Sequence, residues 1–159
     1  METVREIGNS IDPMIQLTSD YPENNANGRV PILDLECWLV RDKDGFQQIR
    51  YSFYEKPMKS PYVMMLKSAV PLRTKRNALT QEVKRRLRNC HQDVPKEEVA
   101  EILSKFAQKL KNSGYNHRFR QQVIDAGVKA HKQDVEKDRQ GEKKLYRSCL
   151  LYTSDAADE

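Results

Sequence analysis

The stretch DLECWLVRDKDGFQQIRYSFYEKPM, residues 34–58, decides the fold, because apolar and polar residues alternate on both sides of a central turn. Asp44 and Gly45 supply that turn, since glycine accepts the positive φ angles that tight hairpin turns require. Successive side chains of a strand point to opposite faces, so one face of each predicted strand is apolar. That face carries Leu33, Leu35, Cys37, Leu39, Ile49, Tyr51 and Phe53. The pattern predicts a β-hairpin with one apolar face.

Two elements are predicted before the hairpin. The segment METVREIGNSI, residues 1–11, fits a short helix, and PMIQLTSDY, residues 13–21, alternates loosely and predicts a first strand. Three antiparallel strands with one apolar face need a cover. The helices that follow, or another domain, are expected to supply it.

From residue 72 onward the apolar period changes from 2 to 3.6, which predicts three helices. The first spans residues 72–90, with Leu79, Val83, Leu87 and Cys90 in one stripe. The second covers residues 93–114, with Asp93 as N-cap and Gly114 as the stop. The third begins near residue 116, and the chain after about Asp134 is predicted to fray. The fold class is therefore α+β, with a small antiparallel β-sheet followed by a basic three-helix bundle.

Charge is unevenly distributed along the chain. Residues 1–59 carry 7 Lys and Arg against 10 Asp and Glu, whereas residues 60–148 carry 21 against 10. Such a basic second half predicts a polyanionic partner, and nucleic acid is the first candidate. The alternative is a solvated helical surface, because Lys and Arg are good helix formers.

Several function classes find no support in the sequence. No apolar run approaches the roughly 20 residues of a membrane span, and the N-terminus does not resemble a signal peptide. We therefore expect an intracellular protein, nuclear or cytoplasmic, with no membrane partner and no small-molecule substrate. The three cysteines lack metal-ligand spacing, and Cys90 beside His91 has no supporting nucleophile context.

The final segment CLLYTSDAADE, residues 149–159, resembles the translation of a sequencing-library adapter rather than the protein before it. We predict that the gene-encoded part ends near Ser148 and assign no function to the tail. The predicted organisation is then a strand and hairpin over residues 1–59, a basic helical region over 60–138, a disordered extension over 139–148 and the adapter tail over 149–159.

The order of motifs resembles the region after the catalytic palm motif in retroelement reverse transcriptases, of the Penelope-like and related animal types. The matching residues span a hairpin opening, its turn, a Tyr-x-Lys-Pro signature and the entry to a helix with paired basic residues. They are Pro31, Leu33, Asp34, Asp44, Gly45, Tyr54, Lys56, Pro57, Ser68, Pro71 and Lys75. The departures are Ile32 where Phe is usual, Met58 where Thr is usual, and SAVP at residues 68–71.

This resemblance implies a fragment of an RNA-directed DNA polymerase. Residues 1–59 would then be the end of the palm, and residues 60–138 a thumb-like or helix-turn-helix region. The parent enzyme would use Mg²⁺ held by paired aspartates upstream, a motif this chain lacks, and Asp42 and Asp44 lie in a turn. We therefore predict no catalytic residue, metal ligand or cofactor here, no activity for the fragment alone, and the missing palm as a partner.

A polymerase must hold its primer-template duplex by the phosphate backbone, which Lys and Arg contact without reading sequence. The predicted helix over residues 72–90 carries seven bases, Arg86 included, against one acid, Glu82. Pro57 also restricts Lys56 to an extended backbone. The predicted nucleic-acid-binding residues are Lys56, Arg73, Lys75, Arg76, Lys84, Arg85 and Arg88.

Two alternatives remain open from the sequence. One is a standalone helix-turn-helix nucleic-acid-binding protein, which would prefer particular base sequences. The other is a protein-interaction domain that binds no nucleic acid. Trp38 and Tyr54 fit either stacking on bases or packing inside the protein.

Overall fold

The computed structural model describes residues 2–12, 14, 16–57 and 59–140, and it confirms an α+β fold. A short 3₁₀ turn, Pro22–Asn24, lies between the first helix and the sheet. The elements in chain order are α1 (Glu2–Ile11), β1 (Val30–Ile32), β2 (Leu35–Arg41), β3 (Gln47–Phe53), α2 (Leu72–Arg88), α3 (Lys96–Asn112) and α4 (His117–Arg139).

The predicted hairpin is confirmed as β2 and β3, which pair antiparallel with Leu35 opposite Phe53 and Leu39 opposite Ile49. Gly45 has a φ angle of +85°, the conformation for which a glycine was expected. The carboxylate of Asp42 accepts hydrogen bonds from the backbone N–H groups of Asp44 and Phe46, at 3.0 and 2.9 Å. The turn is therefore held by its own acidic residue.

The predicted first strand over residues 13–21 is wrong, because residues 16–21 form no strand. The side chain of Asn9 on α1 hydrogen-bonds both the N–H and the C=O of Leu17, at 2.5 and 3.3 Å. These bonds occupy the groups that a strand would have offered to a neighbour. Pro13 and Ile15 lie outside the described residues.

The first strand is instead Val30–Ile32. The alternation in RVPILDLECWLV, residues 29–40, predicts one continuous strand, and the structure divides it into β1 and β2. A two-residue turn at Leu33 and Asp34 separates the two strands, with Ile32 opposite Leu35 and Val30 opposite Cys37. Leu33 has a φ angle of +57°, which is unusual for a residue with a branched side chain. The sheet order is β1-β2-β3.

The core lies between the three long helices rather than under the sheet. It contains Leu79, Val83, Leu87, Phe106, Leu110, Tyr115, Phe119 and Val123. Burying one such aliphatic or aromatic side chain stabilises a fold by roughly 1.5–3 kcal/mol. The predicted stripes of α2 and α3 therefore face the interior, as the 3.6-residue period indicated.

Helices α2 and α4 run side by side in the same direction. Arg76 lies over Phe119 near both N-termini, and Lys84 pairs with Asp134 further along both helices. They approach closely at Gly127, where an added Cβ would lie 2.5 Å from the Cβ and Cγ1 atoms of Val83.

The helix boundaries differ from the prediction at the start of α3 and at the end of α4, whereas the start of α4 agrees with it. Asp93 is not the N-cap of α3, since that helix begins after Pro95 and Asp93 instead pairs with Arg50 at 2.8 Å. The side-chain oxygen of Asn116 caps α4 by accepting from the N–H of Phe119. Helix α4 continues to Arg139, so fraying from Asp134 is wrong, and residues 141–159 lie outside the described part.

The helices cover only one end of the apolar sheet face. Phe53 is buried, whereas Leu39 and Ile49 at the turn end of the hairpin are 60% and 66% exposed. Ion pairs supplement this small apolar contact, and they join the sheet region to the bundle at Arg29–Glu98, Arg50–Asp93, Asp34–Arg85 and Glu55–Arg86.

Candidate nucleic-acid interface

The two longest stretches of the chain without Asp or Glu contain residues 60–81 and residues 102–124. Residues 60–81 and residues 102–124 together carry nine Lys and Arg and neither Asp nor Glu. These residues are Lys67, Arg73, Lys75, Arg76, Lys105, Lys109, Lys111, Arg118 and Arg120.

The fold brings these two segments together at one end of the bundle. The N–H of Leu66 donates to the carbonyl of Ser113 at 3.0 Å, and the hydroxyl of Tyr115 donates to the carbonyl of Met64 at 2.9 Å. The guanidinium carbon of Arg76 lies 5.5 Å from the ring centre of Phe119. The first turn of α2 therefore adjoins the first turn of α4.

Five exposed cations surround this junction, and we call them the basic end: Lys67, Arg73, Arg76, Lys111 and Arg118. The aromatic rings beneath them, Tyr115 and Phe119, stack at 4.7 Å and are buried. Neither ring is open to a nucleobase. This arrangement can attract phosphates, and these two rings add no stacking surface.

Lys75 was predicted to bind nucleic acid, but its side chain is buried and its ammonium is already bound within the protein. The Nζ atom donates to the backbone carbonyls of Leu66 and Ser68, at 2.6 and 2.8 Å. Only 2% of the residue is exposed. Lys75 therefore holds the loop before α2 in place rather than reaching a phosphate.

The bases of the second half of α2 are mostly paired with acids. Lys84 pairs with Asp134, Arg85 with Asp34 and Glu82, and the buried Arg86 with Glu82 and Glu55. The two carboxylates on Arg85 raise its pKa above its ordinary value, with Glu82 contributing most. Arg88 is exposed in the last turn of α2. Three of the four bases in the second half of α2 are therefore neutralised in the fold, whereas Arg73 and Arg76 in its first half are not paired with acids in the described part of the chain.

Lys56 lies apart from the basic end. It is exposed, follows the hairpin directly, and lines a cleft formed with α3. Of the seven predicted binding residues, the structure places only Arg73 and Arg76 in the basic end. Lys67, Lys111 and Arg118 are missing from the predicted set, although all three lie in the two long acid-free stretches of the sequence.

Neither of the two cysteines in the described part of the chain, Cys37 and Cys90, shows a sign of activation. Burial raises the pKa of the Cys90 thiol, and its Sγ donates to the carbonyl of Arg86 at 3.3 Å. The neighbouring His91 is engaged by Arg50, whose Nη1 lies 2.9 Å from its Nε2. Burial likewise raises the pKa of Cys37, helped by the charge of Glu36. Both thiols therefore stay protonated at neutral pH, the weakly nucleophilic form.

Trp38 is half-buried, and the guanidinium of Arg29 lies 4.0 Å from its ring centre. Among the described residues, no three His, Cys, Asp or Glu side chains gather in a way that would hold a metal ion. No helix in the same part of the chain is long and apolar enough to cross a membrane.

Comparison with known proteins adds no relative. No family model matches the chain, and neither a curated protein nor a solved structure matches it.

Proposed function

We propose that this chain binds the sugar-phosphate backbone of a nucleic-acid duplex through the basic end. The observation that carries the proposal is the meeting of two acid-free segments, which leaves five exposed cations at one end of the bundle. Among the described residues none of these five cations is paired with an acid, whereas Lys84, Arg85 and Arg86 are. Phosphates are the natural counter-charge for such a surface.

The chemistry of this surface favours backbone contact over base readout. Arginine and lysine bind phosphate oxygens through charge-assisted hydrogen bonds, which position a duplex without recognising its sequence. The buried rings of Tyr115 and Phe119 offer no platform for unpaired bases. We therefore expect weak discrimination between unrelated duplexes and a steep dependence of affinity on salt.

We further propose that the chain belongs to a retroelement reverse transcriptase, as the part that follows the catalytic palm. The support is the motif order from Pro31 to Lys75, together with a hairpin that leads into a basic helical bundle. In that setting Mg²⁺ and the catalytic aspartates belong to the palm, and this part of the enzyme binds the primer-template duplex. Reading the gene in both directions tests this. An in-frame palm with an aspartate pair supports it, and a stop codon shortly before Met1 with no palm contradicts it.

The binding proposal is tested with a fluorescently labelled duplex and a double charge reversal, Arg73→Glu with Arg76→Glu. Both residues are exposed, so the fold should tolerate the change. Loss of two phosphate contacts and the added repulsion should weaken binding at low salt by about tenfold or more. Fluorescence anisotropy measures the affinity.

The matched control is Lys96→Glu with Lys129→Glu, which makes the same charge change at exposed positions outside the basic end. It should weaken binding much less. Equal loss of affinity in the two double variants would mean that only the net charge of the chain matters for binding, and would contradict a site at the basic end. No binding of any duplex by the wild-type chain would favour the protein-interaction alternative. Reversal at Arg86 is unsuitable, because that side chain is buried and paired.

A second candidate function has one specific observation in its favour. Helices α3 and α4 are joined by residues 113–116, and Gly114 in this turn has a φ angle of +92°. Short turns that contain glycine are typical of helix-turn-helix motifs, in which the first residues of the second helix contact bases. Here those positions include the exposed Arg118, Gln121 and Gln122.

Competition with unrelated duplexes separates the two candidates. A standalone helix-turn-helix protein should select one sequence by about a thousandfold or more over random competitor. Selection of a single sequence motif from a randomised pool would contradict pure backbone binding. Equal competition by unrelated duplexes would contradict the helix-turn-helix reading.

A further inference from the structure

Large apolar side chains are exposed in the segment that leads into α2, next to the basic end. We call them the apolar loop patch, and they are Tyr62, Met64, Met65, Leu66 and Leu72, with exposed fractions between 37% and 52%. Among residues 62–66, Val63 alone packs against the core. A single exposed apolar side chain is ordinary, but a group of them marks an interaction site.

The backbone beneath this patch is fixed by hydrogen bonds to the turn between α3 and α4. The N–H of Val63 donates to the hydroxyl oxygen of Ser113 at 2.9 Å, and the N–H of Leu66 donates to the carbonyl of Ser113 at 3.0 Å. The hydroxyl of Tyr115 donates to the carbonyl of Met64 at 2.9 Å. The patch is therefore preorganised, so little conformational freedom is lost when a partner binds it.

Cations of the basic end border the patch. Lys67 and Arg73 each follow a patch residue directly in the sequence. Lys111 lies in the last turn of α3, near Gly114, where an added Cβ would lie 3.6 Å from the Cβ of Leu66. The acid-free stretches that contain the patch and these cations supply no carboxylate to pair with them. A ligand that matches this surface combines apolar groups with negative charge.

The side chains of the patch suit a peptide better than unpaired bases. Bases stack on flat aromatic rings, and the patch contains one such ring, Tyr62. Met64 and Met65 are unbranched and polarisable, and methionines of this kind are typical of surfaces that adapt to the apolar side chains of peptide partners. The composition of the patch therefore favours a protein ligand.

We propose that the apolar loop patch binds a short, acidic, amphipathic segment of a partner protein. Apolar side chains of that segment contact the patch, and its carboxylates pair with Lys67, Arg73 and Lys111. The inference goes beyond the proposed function, because the partner is a protein and much of the contact is apolar. Since the three cations also belong to the basic end, this partner and a duplex exclude one another, and the partner regulates access of the duplex.

The test measures binding of a fluorescently labelled peptide, built from Glu-Leu-Leu-Glu repeats, to the intact chain by anisotropy. One control peptide carries Lys in place of Glu, and the other carries Ser in place of Leu. We expect the acidic apolar peptide to bind at least about tenfold more tightly than either control, because charge and apolar area both contribute. Equal binding of the acidic apolar peptide and either control would overturn the proposal.

A pair of double variants localises the binding. Tyr62→Ser with Met65→Ser removes apolar area at exposed positions without changing the charge, and it should weaken peptide binding by about tenfold or more. The matched control is Leu39→Ser with Ile49→Ser, which makes the same kind of change at exposed positions of the sheet. It should leave peptide binding unchanged. Equal losses in the two double variants would overturn the assignment to the patch.

Duplex affinity, measured on the same proteins, separates this inference from the proposed function. Tyr62→Ser with Met65→Ser should keep the duplex affinity and the urea midpoint of the wild type, so a loss of peptide binding is not a loss of fold. A wild-type chain that binds duplex but not peptide would overturn the inference and leave the proposed function standing. Peptide binding without duplex binding would do the reverse.

Three further outcomes are decisive. Excess peptide should displace the duplex, and simultaneous binding of both would contradict the shared cations. Dimerisation in sedimentation experiments that Tyr62→Ser with Met65→Ser abolishes would assign the patch to a second copy of the chain. Loss of oligothymidylate binding in that variant, with peptide binding intact, would assign the patch to unpaired bases. Either assignment would overturn the proposal.

Discussion

Glu55 and Arg86 form an ion pair that ties the end of the hairpin to the centre of the bundle. The Nη2 atom of Arg86 lies 3.2 Å from Oε1 of Glu55, and the same oxygen accepts from Lys109 at 2.9 Å. The guanidinium of Arg86 lies 4.5 and 4.7 Å from the ring centres of Phe53 and Phe106. One carboxylate therefore joins the segment that follows β3 to both α2 and α3.

Glu55→Gln should lower the free energy of unfolding by about 1–3 kcal/mol. The substitution keeps the shape of the side chain but removes the charge that balances Arg86, whose residue is only 3% exposed. Urea denaturation followed by circular dichroism measures the change. Glu136→Gln, on an exposed position of α4, is the control. A loss no larger than that of the control would mean that the pair contributes nothing net.

The stability of the protein should fall in mild acid. Burial alone would raise the pKa of Glu55, but its hydrogen bond from Lys109 and the charge of Arg86 lower it below its ordinary value of 4.5. The pKa of Glu82 is likewise lowered, with the hydrogen bond from Arg85 and the charge of Arg86 outweighing burial. Because the folded state binds fewer protons there, stability present above pH 4.5 is lost as the pH falls through the folded pKa values.

The measurement is the urea midpoint between pH 7 and pH 3. Glu55→Gln should show a smaller decrease over this range than the wild type, because one of the groups that takes up a proton is gone. A decrease of the same size in both proteins would show that other carboxylates account for the acid sensitivity.

Substitutions at Lys75 and Arg73 should have opposite effects: the first should lower the stability of the fold, and the second should weaken duplex binding. Lys75→Met leaves the carbonyls of Leu66 and Ser68 without their donor and should cost about 1–3 kcal/mol of stability. It should leave the salt dependence of duplex binding unchanged. Arg73→Gln, at an exposed position, should do the reverse and reduce the salt slope by about one. If Lys75→Met kept full stability but reduced the salt dependence of duplex affinity, Lys75 would be a phosphate-binding residue after all.

Gly127→Ala should destabilise the bundle by about 1–3 kcal/mol, because the new Cβ would lie 2.5 Å from Val83, which is fully buried. Val83→Ala removes Cγ1, one of the two Val83 atoms that the new Cβ would meet, and keeps Cβ, at the cost of a cavity. The double variant should therefore lose less stability than the two single losses together. Additive losses would show that the two residues do not compete for the same space.

Leu33→Gly should stabilise the protein slightly, by about 0.5 kcal/mol. Leu33 holds a φ angle of +57° and is 86% exposed, so glycine relieves strain and gives up almost no packing. Leu39→Gly is the matched control, because Leu39 is also exposed but lies inside β2 with extended backbone. That control should be destabilised by up to about 1 kcal/mol. Similar losses at both positions would argue against strain at Leu33.

Local sequence patterns were sufficient for most of the fold. Alternation around Asp44 and Gly45 predicted β2 and β3, and the 3.6-residue stripes predicted α2, α3 and α4. The boundary between β1 and β2 was missed because Leu33 is a residue that rarely adopts a positive φ angle, so nothing in the sequence signalled a turn. The strand predicted at residues 13–21 does not form, because the side chain of Asn9 hydrogen-bonds the backbone of Leu17. No pattern within residues 13–21 indicates that contact.

The candidate site was less predictable, because charge in a sequence does not show which bases are paired. Lys84 and Arg85 look like phosphate ligands until Asp134 and Asp34, about 50 residues away on either side, are placed beside them. Lys75 shares its helix with Arg73 and Arg76 but faces the interior. Long-range pairing determined which cations stayed exposed, and no short window contains that information.

The close approach at Gly127 has a consequence for where positive charge accumulates. By letting α4 lie against Val83, this residue sets the position of α4 along α2, and with it the placement of Phe119, the neighbour of Arg118 in sequence, under Arg76. A slip of one turn would shift α4 by about 5.4 Å and carry its first residues away from the start of α2. An uncharged residue without a side chain, more than two turns from the basic end, thus governs the spacing of the cations that would face a phosphate backbone.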